Sequence, residues 1–127
     1  MNVPQELRYS REHEWVRVDG PLARIGITDF AQESLGDVVF VQLPDVGLEI
    51  VAGASAAEIE STKSVSDVYV PITCVVEAVN DALVDAPELL NQDPYGAGWI
   101  LEVSVADAAE ISALMDADAY RELVGEA

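Results

Sequence analysis

Along most of this chain, apolar positions come in short runs that alternate with polar ones, the period-two rhythm of β-strands. Near the C-terminus the spacing lengthens to that of a helix. Residues 13–18 and 22–27 flank Asp19-Gly20-Pro21 and predict a hairpin, with Ala23, Ile25 and Ile27 alternating against Arg24 and Gly26. Thr28 is placed to cap a short helix over 30–35, its hydroxyl accepting a first-turn N–H, with Asp29 at the positive end of the dipole. Gly36 is expected to end that helix in the left-handed αL conformation. Residues 37–43 form the clearest buried strand, stopped by Pro44, and Phe40 in its middle is expected in the core. A turn at Asp45-Val46-Gly47 leads to a short strand at 49–51, broken by Gly53. Strands at 56–60 and 65–70 follow, and another at 72–79 beyond Pro71. Asn80-Asp81 opens a turn, 87–90 fits one helical turn begun by Pro87, and 93–98 is a turn-rich loop. The last strand is expected at 99–105. From Asp107, Ile111, Leu114 and Met115 fall at helical spacing, and a second helical stretch at 117–124 closes the chain.

So many short strands followed by helices predict a mainly β fold, a sandwich or barrel with a short internal helix and C-terminal helices. The length of 127 residues predicts a single domain over 1–127, with a β core at about 7–105 and a helical tail at about 107–124. There is no alternation of strands and helices for nucleotide binding, no glycine-rich phosphate loop and no paired-histidine metal motif.

Charge narrows the possible partners. The formal net charge is −18, which argues against nucleic acid and against anionic membranes and favours basic protein surfaces. An acidic proteome would give the same balance with no specific partner. One cysteine, Cys74, and one histidine, His13, leave no disulfide and no thiolate or histidine metal cluster. No apolar run is long enough to span a membrane, and the first residues do not read as a secretory signal. The chain reads as cytoplasmic, with a mature organellar form as the alternative, and as a monomer.

Against 24 carboxylates stand six cations, and only one of them is a lysine, Lys63. A lysine amine can lose its proton and react, whereas guanidinium effectively cannot. An enzyme that acylates lysine side chains therefore has one side-chain target. Lys63 lies in Glu60-Ser61-Thr62-Lys63-Ser64, between two strand-like runs, where small polar residues favour a tight turn. A hairpin tip projects into solvent, so Lys63 is expected to be exposed and rigidly held.

The run from Glu60 to Pro71 closely resembles the lipoylation segment of the glycine cleavage system H-protein family. His13-Glu14-Trp15, Gly26-Ile27-Thr28-Asp29-Phe30-Ala31-Gln32, Leu35-Gly36-Asp37, Leu43-Pro44 with Gly47, and the segment from Asn91 to Trp99 are similar to further blocks of that family, in the same order. The likeness covers roughly Leu7 to Tyr120. Biotinyl domains place the lysine between methionines, and lipoyl domains of 2-oxo acid dehydrogenases carry Asp-Lys-Ala, so both cousins fit less well.

The resemblance implies a lipoyl/biotinyl-domain-like barrel-sandwich hybrid and a non-catalytic carrier. It implies lipoate joined to Lys63 as an amide by a lipoate ligase or lipoyltransferase. It implies an aminomethyl group taken from glycine decarboxylase (P protein) to the aminomethyltransferase (T protein), and electrons passed to dihydrolipoyl dehydrogenase (L protein). It places Glu14 and Asp67 beside a groove that shelters the loaded arm from water, where either acid can pair with a cationic amine or simply be a solvated surface group. It gives Glu60 a part in recognition by the lipoylating enzyme. Other functions stay open: a relay that passes lipoate to 2-oxo acid dehydrogenases, or an unmodified acidic domain binding a basic partner.

Among the remaining residues, His13 is expected in a hydrogen-bonding, structural role and Trp15 and Trp99 in the core or a groove wall. Ser34 stands where some family members have a histidine and is assigned no role. Pro71-Ile72-Thr73-Cys74-Val75 departs from the family's Pro-x-Ser-Gly-Glu, which puts a local turn or bulge in question. Cys74 is expected as a small buried hydrophobe, with a nucleophilic or redox role the minor alternative.

Overall fold

The computed structural model describes residues 1–125, so the last two positions of the expected 1–127 span lie outside the described residues. Two antiparallel sheets face each other and do not close into a barrel. The larger has six strands: β1 (Arg8–Tyr9), β2 (Glu14–Asp19), β3 (Leu22–Ile27), β9 (Leu101–Val105), β8 (Cys74–Val79) and β5 (Glu49–Ile50), in that spatial order. The smaller has β4 (Val38–Gln42), β6 (Ser55–Ser61) and β7 (Val65–Tyr69). Alternating residues of both sheets meet in one core that includes Ile25, Val41, Ile59, Val68, Val76 and Val103. This is the mainly β architecture that the period-two pattern predicts.

Helix α1 (Asp29–Leu35) starts as expected, with Thr28 Oγ1 accepting from the Ala31 N–H at 3.2 Å. It ends differently. Gly36 has φ 76° and ψ −156°, outside αL and in a region essentially reserved for glycine. Two single-turn helices, α2 (Ala82–Asp85) and α3 (Leu89–Gln92), lie between β8 and β9; the first has no counterpart in the sequence pattern and the second begins two residues after Pro87. The helical tail is α4 (Ala108–Ser112) and α5 (Ala117–Val124), capped by Asp107 and Asp116. Met115 falls between them and pairs with Tyr9 through reciprocal backbone bonds of 2.8 and 2.9 Å, so its apolar spacing marks a β-bridge and not a helix.

A second apolar cluster joins the N-terminal segment to the tail: Val3, Leu7, Tyr9, Trp15, Tyr95 and Tyr120. Tyr9 and Tyr120 stack with centroids 4.7 Å apart. Trp15 Nε1 donates to the Pro94 carbonyl at 3.0 Å. Gly26 is dictated by this tryptophan, because a methyl group there would come within 2.7 Å of the indole ring. Trp99 lies partly exposed under the Arg24 guanidinium, 4.3 Å from the ring centre.

Phe40 corrects the sequence reading. It is half exposed, as is Val39 beside it. A β-bulge between Val38 and Phe40 breaks the alternation, so Val38 and Val41 face the core and both intervening residues face solvent. Cys74 is buried as expected and pairs with Ile50 and Val105. It needs no glycine, since among the described residues His13 is the only non-glycine with positive φ. Burial pushes its thiol up to about 11, which leaves it unreactive at neutral pH.

Candidate functional site

Lys63 occupies the turn between β6 and β7 and is exposed. The turn is organised by one hydroxyl. Ser61 Oγ accepts from the backbone N–H of Lys63 at 3.2 Å and of Ser64 at 3.1 Å, and donates to the Ser64 carbonyl. The Ser61 N–H closes the loop on the same carbonyl at 2.8 Å. Four bonds over four residues leave the loop little freedom. A further bond fixes it to the rest of the molecule: the Thr62 N–H donates to the Asp37 carbonyl at 3.0 Å.

That carbonyl belongs to the corner between α1 and β4, which is clamped by Asn91. Its side-chain amide donates to the Gly36 carbonyl at 2.8 Å and to Gln32 Oε1 at 3.1 Å, and its oxygen accepts from the Val38 N–H at 2.9 Å. The lysine stem lies on this corner. A methyl group on Gly36 would sit 3.1 Å from Lys63 Cε and 3.6 Å from Nζ. A bare backbone is therefore what the stem rests on. Sequence reasoning missed both Gly36 as a lysine contact and Asn91 as a clamp. Asn91 opens one of the recurring blocks, so its position was visible although its purpose was not.

Beyond Gly36, the last turn of α1 forms one wall of a cleft of about 150 Å³. Apolar walls from Ile27, Phe30, Leu35 and Ile59 enclose it, and Glu14 and Asp67 both line it. The cleft thus gathers the two acids that the sequence singled out. They are not alike. Asp67 is exposed and accepts from Ser55 Oγ at 3.2 Å. Glu14 is 2% exposed, which rules out a solvated surface acid. Ser10 Oγ donates to its carboxylate at 2.6 Å, and the Tyr69 backbone N–H nearby also favours the charged form. Burial outweighs those donors and pushes its pKa up to about 8. Ser34 is also on the cleft wall.

His13 stands next to Glu14 at φ 69°. Its Nδ1 is 2.8 Å from Tyr120 Oη, which is 2.7 Å from Thr28 Oγ1. Its ring packs on Phe30 with centroids 4.6 Å apart, and burial lowers its pKa. These contacts tie β2, α1 and α5 together behind the cleft, the structural role expected of it. Glu60 is exposed on β6, directly across from Phe40 and Val65. A larger depression of about 410 Å³ lies nearer the base of the hairpin, open and lined by Gln42, Asp45 and Glu58, with no buried charge among its lining residues. Among the described residues no group of three acids, histidines or cysteines is placed to hold a metal ion. No helix among them is long and apolar enough to cross a membrane.

A family model for the glycine cleavage H-protein matches residues 7–127. The chain belongs to that family. A glycine cleavage system H protein from Mycobacterium avium is 58% identical, over 94% of this chain and 95% of the relative. One from Nocardia farcinica is also 58% identical, over 97% of each. The crystal structure of a glycine cleavage system H protein from Mycobacterium marinum superposes with a TM-score of 0.89 at 41% identity, covering 97% of this chain and 99% of that one. Membership makes the chain a non-catalytic carrier component of glycine cleavage, of a family that carries lipoate on a lysine. The mainly β, lipoyl-domain-like fold expected from the sequence agrees with that neighbour.

Proposed function

We propose that this protein carries lipoate on Lys63 and moves an aminomethyl group and two electrons among the enzymes of glycine cleavage. The observation that carries this reading is the exposed Lys63 on a fixed turn, its stem packed on Gly36, the residue that follows the cleft-lining Leu35, with a buried acid in that cleft. The residues fit such a group. The amine is accessible for amide formation, and the cleft walls are mainly hydrocarbon. When bound, lipoate supplies a dithiolane that accepts a group on one sulfur while the other is reduced.

The chain's own side chains do the rest. Ile27, Phe30, Leu35 and Ile59 exclude water from whatever enters the cleft. Asp67 places an exposed carboxylate where a cationic amine can be paired, and the buried Glu14, protonated at neutral pH, releases its proton to solvent when a cationic amine beside it favours the charged form. Glu60 faces the approaching lipoylating enzyme, a lipoate ligase or lipoyltransferase. The decarboxylase (P protein), the aminomethyltransferase (T protein) and the dihydrolipoyl dehydrogenase (L protein) are the proposed successive partners. A bacterial cytoplasmic setting is part of the same reading.

Intact mass tests the attachment. Co-expression with a lipoylating enzyme and lipoate adds one lipoyl group to the protein, and Lys63→Arg abolishes the gain. A wild-type chain that stays unmodified under those conditions overturns the reading.

A further inference from the structure

Three strands carry the lysine turn, and their outer face is set by register. Phe40 pairs with Glu60, which pairs with Val65, in the last complete cross-strand row before the turn. All three face solvent, and so does Val39. The next row on the same face, Gln42, Glu58 and Asp67, is polar. The result is one acid set between two apolar side chains, immediately beneath Lys63. Phe40 is outside only because the bulge at Val38–Phe40 turns it there.

We propose that the row Phe40–Glu60–Val65, with Val39 beside it, is the docking surface for the enzyme that acylates Lys63. The matching surface is an arginine or lysine set between two shallow apolar patches. This rests on the acylation of Lys63 proposed above and adds the surface that the acylating enzyme reads. Position argues for this occupant, since a catalyst that closes on Nζ at the tip covers the row just below it. Charge argues for the chemistry. A carboxylate enclosed by apolar contacts loses its water on docking and then needs a cation opposite, where the attraction is stronger than in water. The same charge argues against a second copy of this chain, because two molecules of net charge −18 would bring two Glu60 side chains together.

Steady-state lipoylation of the unmodified protein, with purified lipoate ligase, lipoate and ATP, provides the test. Phe40→Ser and Val65→Ser each raise KM for the protein substrate by about tenfold, with kcat little changed. Val18→Ser, an equally exposed apolar change on the other sheet, leaves KM as in wild type. Urea midpoints of all three stay near wild type, because none of these side chains is in the core. If the wild-type protein is lipoylated and the two row variants match its KM, the docking surface is overturned while the carrier reading stands. A KM change that tracks a lowered urea midpoint also overturns it, as does a wild-type dimer in light scattering that Phe40→Ser converts to monomer. A wild-type protein that is never lipoylated removes the reading on which the proposal rests.

Discussion

A carboxylic acid kept from water holds its proton, and Glu14 is such an acid. Its folded pKa of about 8 lies above the ordinary 4.5, so between those values the folded chain binds a proton that the unfolded chain has released. Stability then falls as pH rises from about 5 to about 8, the reverse of a salt-bridged carboxylate. Glu14→Gln keeps the shape and the Ser10 partner but cannot ionise. We expect its urea midpoint to change less than that of wild type across this pH range and to exceed it at pH 8. A wild-type midpoint that rises with pH in that window would contradict the assignment.

The residues differ in how far the chain alone reveals them. Lys63 stands out as the single lysine among small polar neighbours, and those neighbours form the turn. Cys74 reads as a buried hydrophobe and is one. Glu14 offers no local sign of burial, because its surroundings come from Ser10, Tyr69 and the cleft, which only folding assembles. Phe40 misleads for a related reason. An unbroken run of apolar letters conceals the bulge that turns one of them outward. Leaving half of a phenylalanine exposed forgoes about half of the roughly 1.5–3 kcal/mol that full burial contributes.

Among the elements, strands and caps follow from pattern and local chemistry. Thr28, Asp107 and Asp116 each accept a backbone N–H as N-cap residues do. Short helices follow less well. Single turns such as α2 and α3 bury too few side chains to impose a period, and tertiary packing sets their limits. The joint between α1, β4 and the lysine turn is assembled from residues far apart in sequence, with Asn91 at its centre. Asn91→Ala leaves the Val38 N–H and the Gly36 carbonyl without their side-chain partner. It should cost about 2 kcal/mol or more, measured by urea unfolding. Amide exchange at Thr62 should accelerate while that of Ile25, in the opposite sheet, follows only the global loss. Unchanged exchange at Thr62 would show that the clamp does not reach the turn.

At the scale of the whole molecule, charge has two roles. The arginines are largely committed to architecture: Arg24 to Glu102 and Trp99, Arg17 to Trp15 and the Tyr95 carbonyl, Arg121 to Asp118 and the Val3 carbonyl, Arg8 to the Leu114 carbonyl. The surplus acids are left to face the solvent and partners. Raising sodium chloride from about 50 to about 500 mM should therefore raise KM for the lipoylating enzyme several-fold while kcat holds, because screening weakens encounter more than chemistry. A KM indifferent to salt would mean that net charge serves solubility alone. The acidic balance was plain from composition, whereas the division between structural cations and free anions required the fold.

One bond joins these scales. Through Thr62 and Asp37 the lysine tip is bolted to the same corner from which the cleft wall rises. The mooring point and the harbour consequently belong to one stiff body. A swinging prosthetic chain would be launched and berthed through rotation about its own single bonds. Each visiting catalyst then competes against a fixed berth, and the ease of hand-over is governed by how firmly that berth grips its cargo.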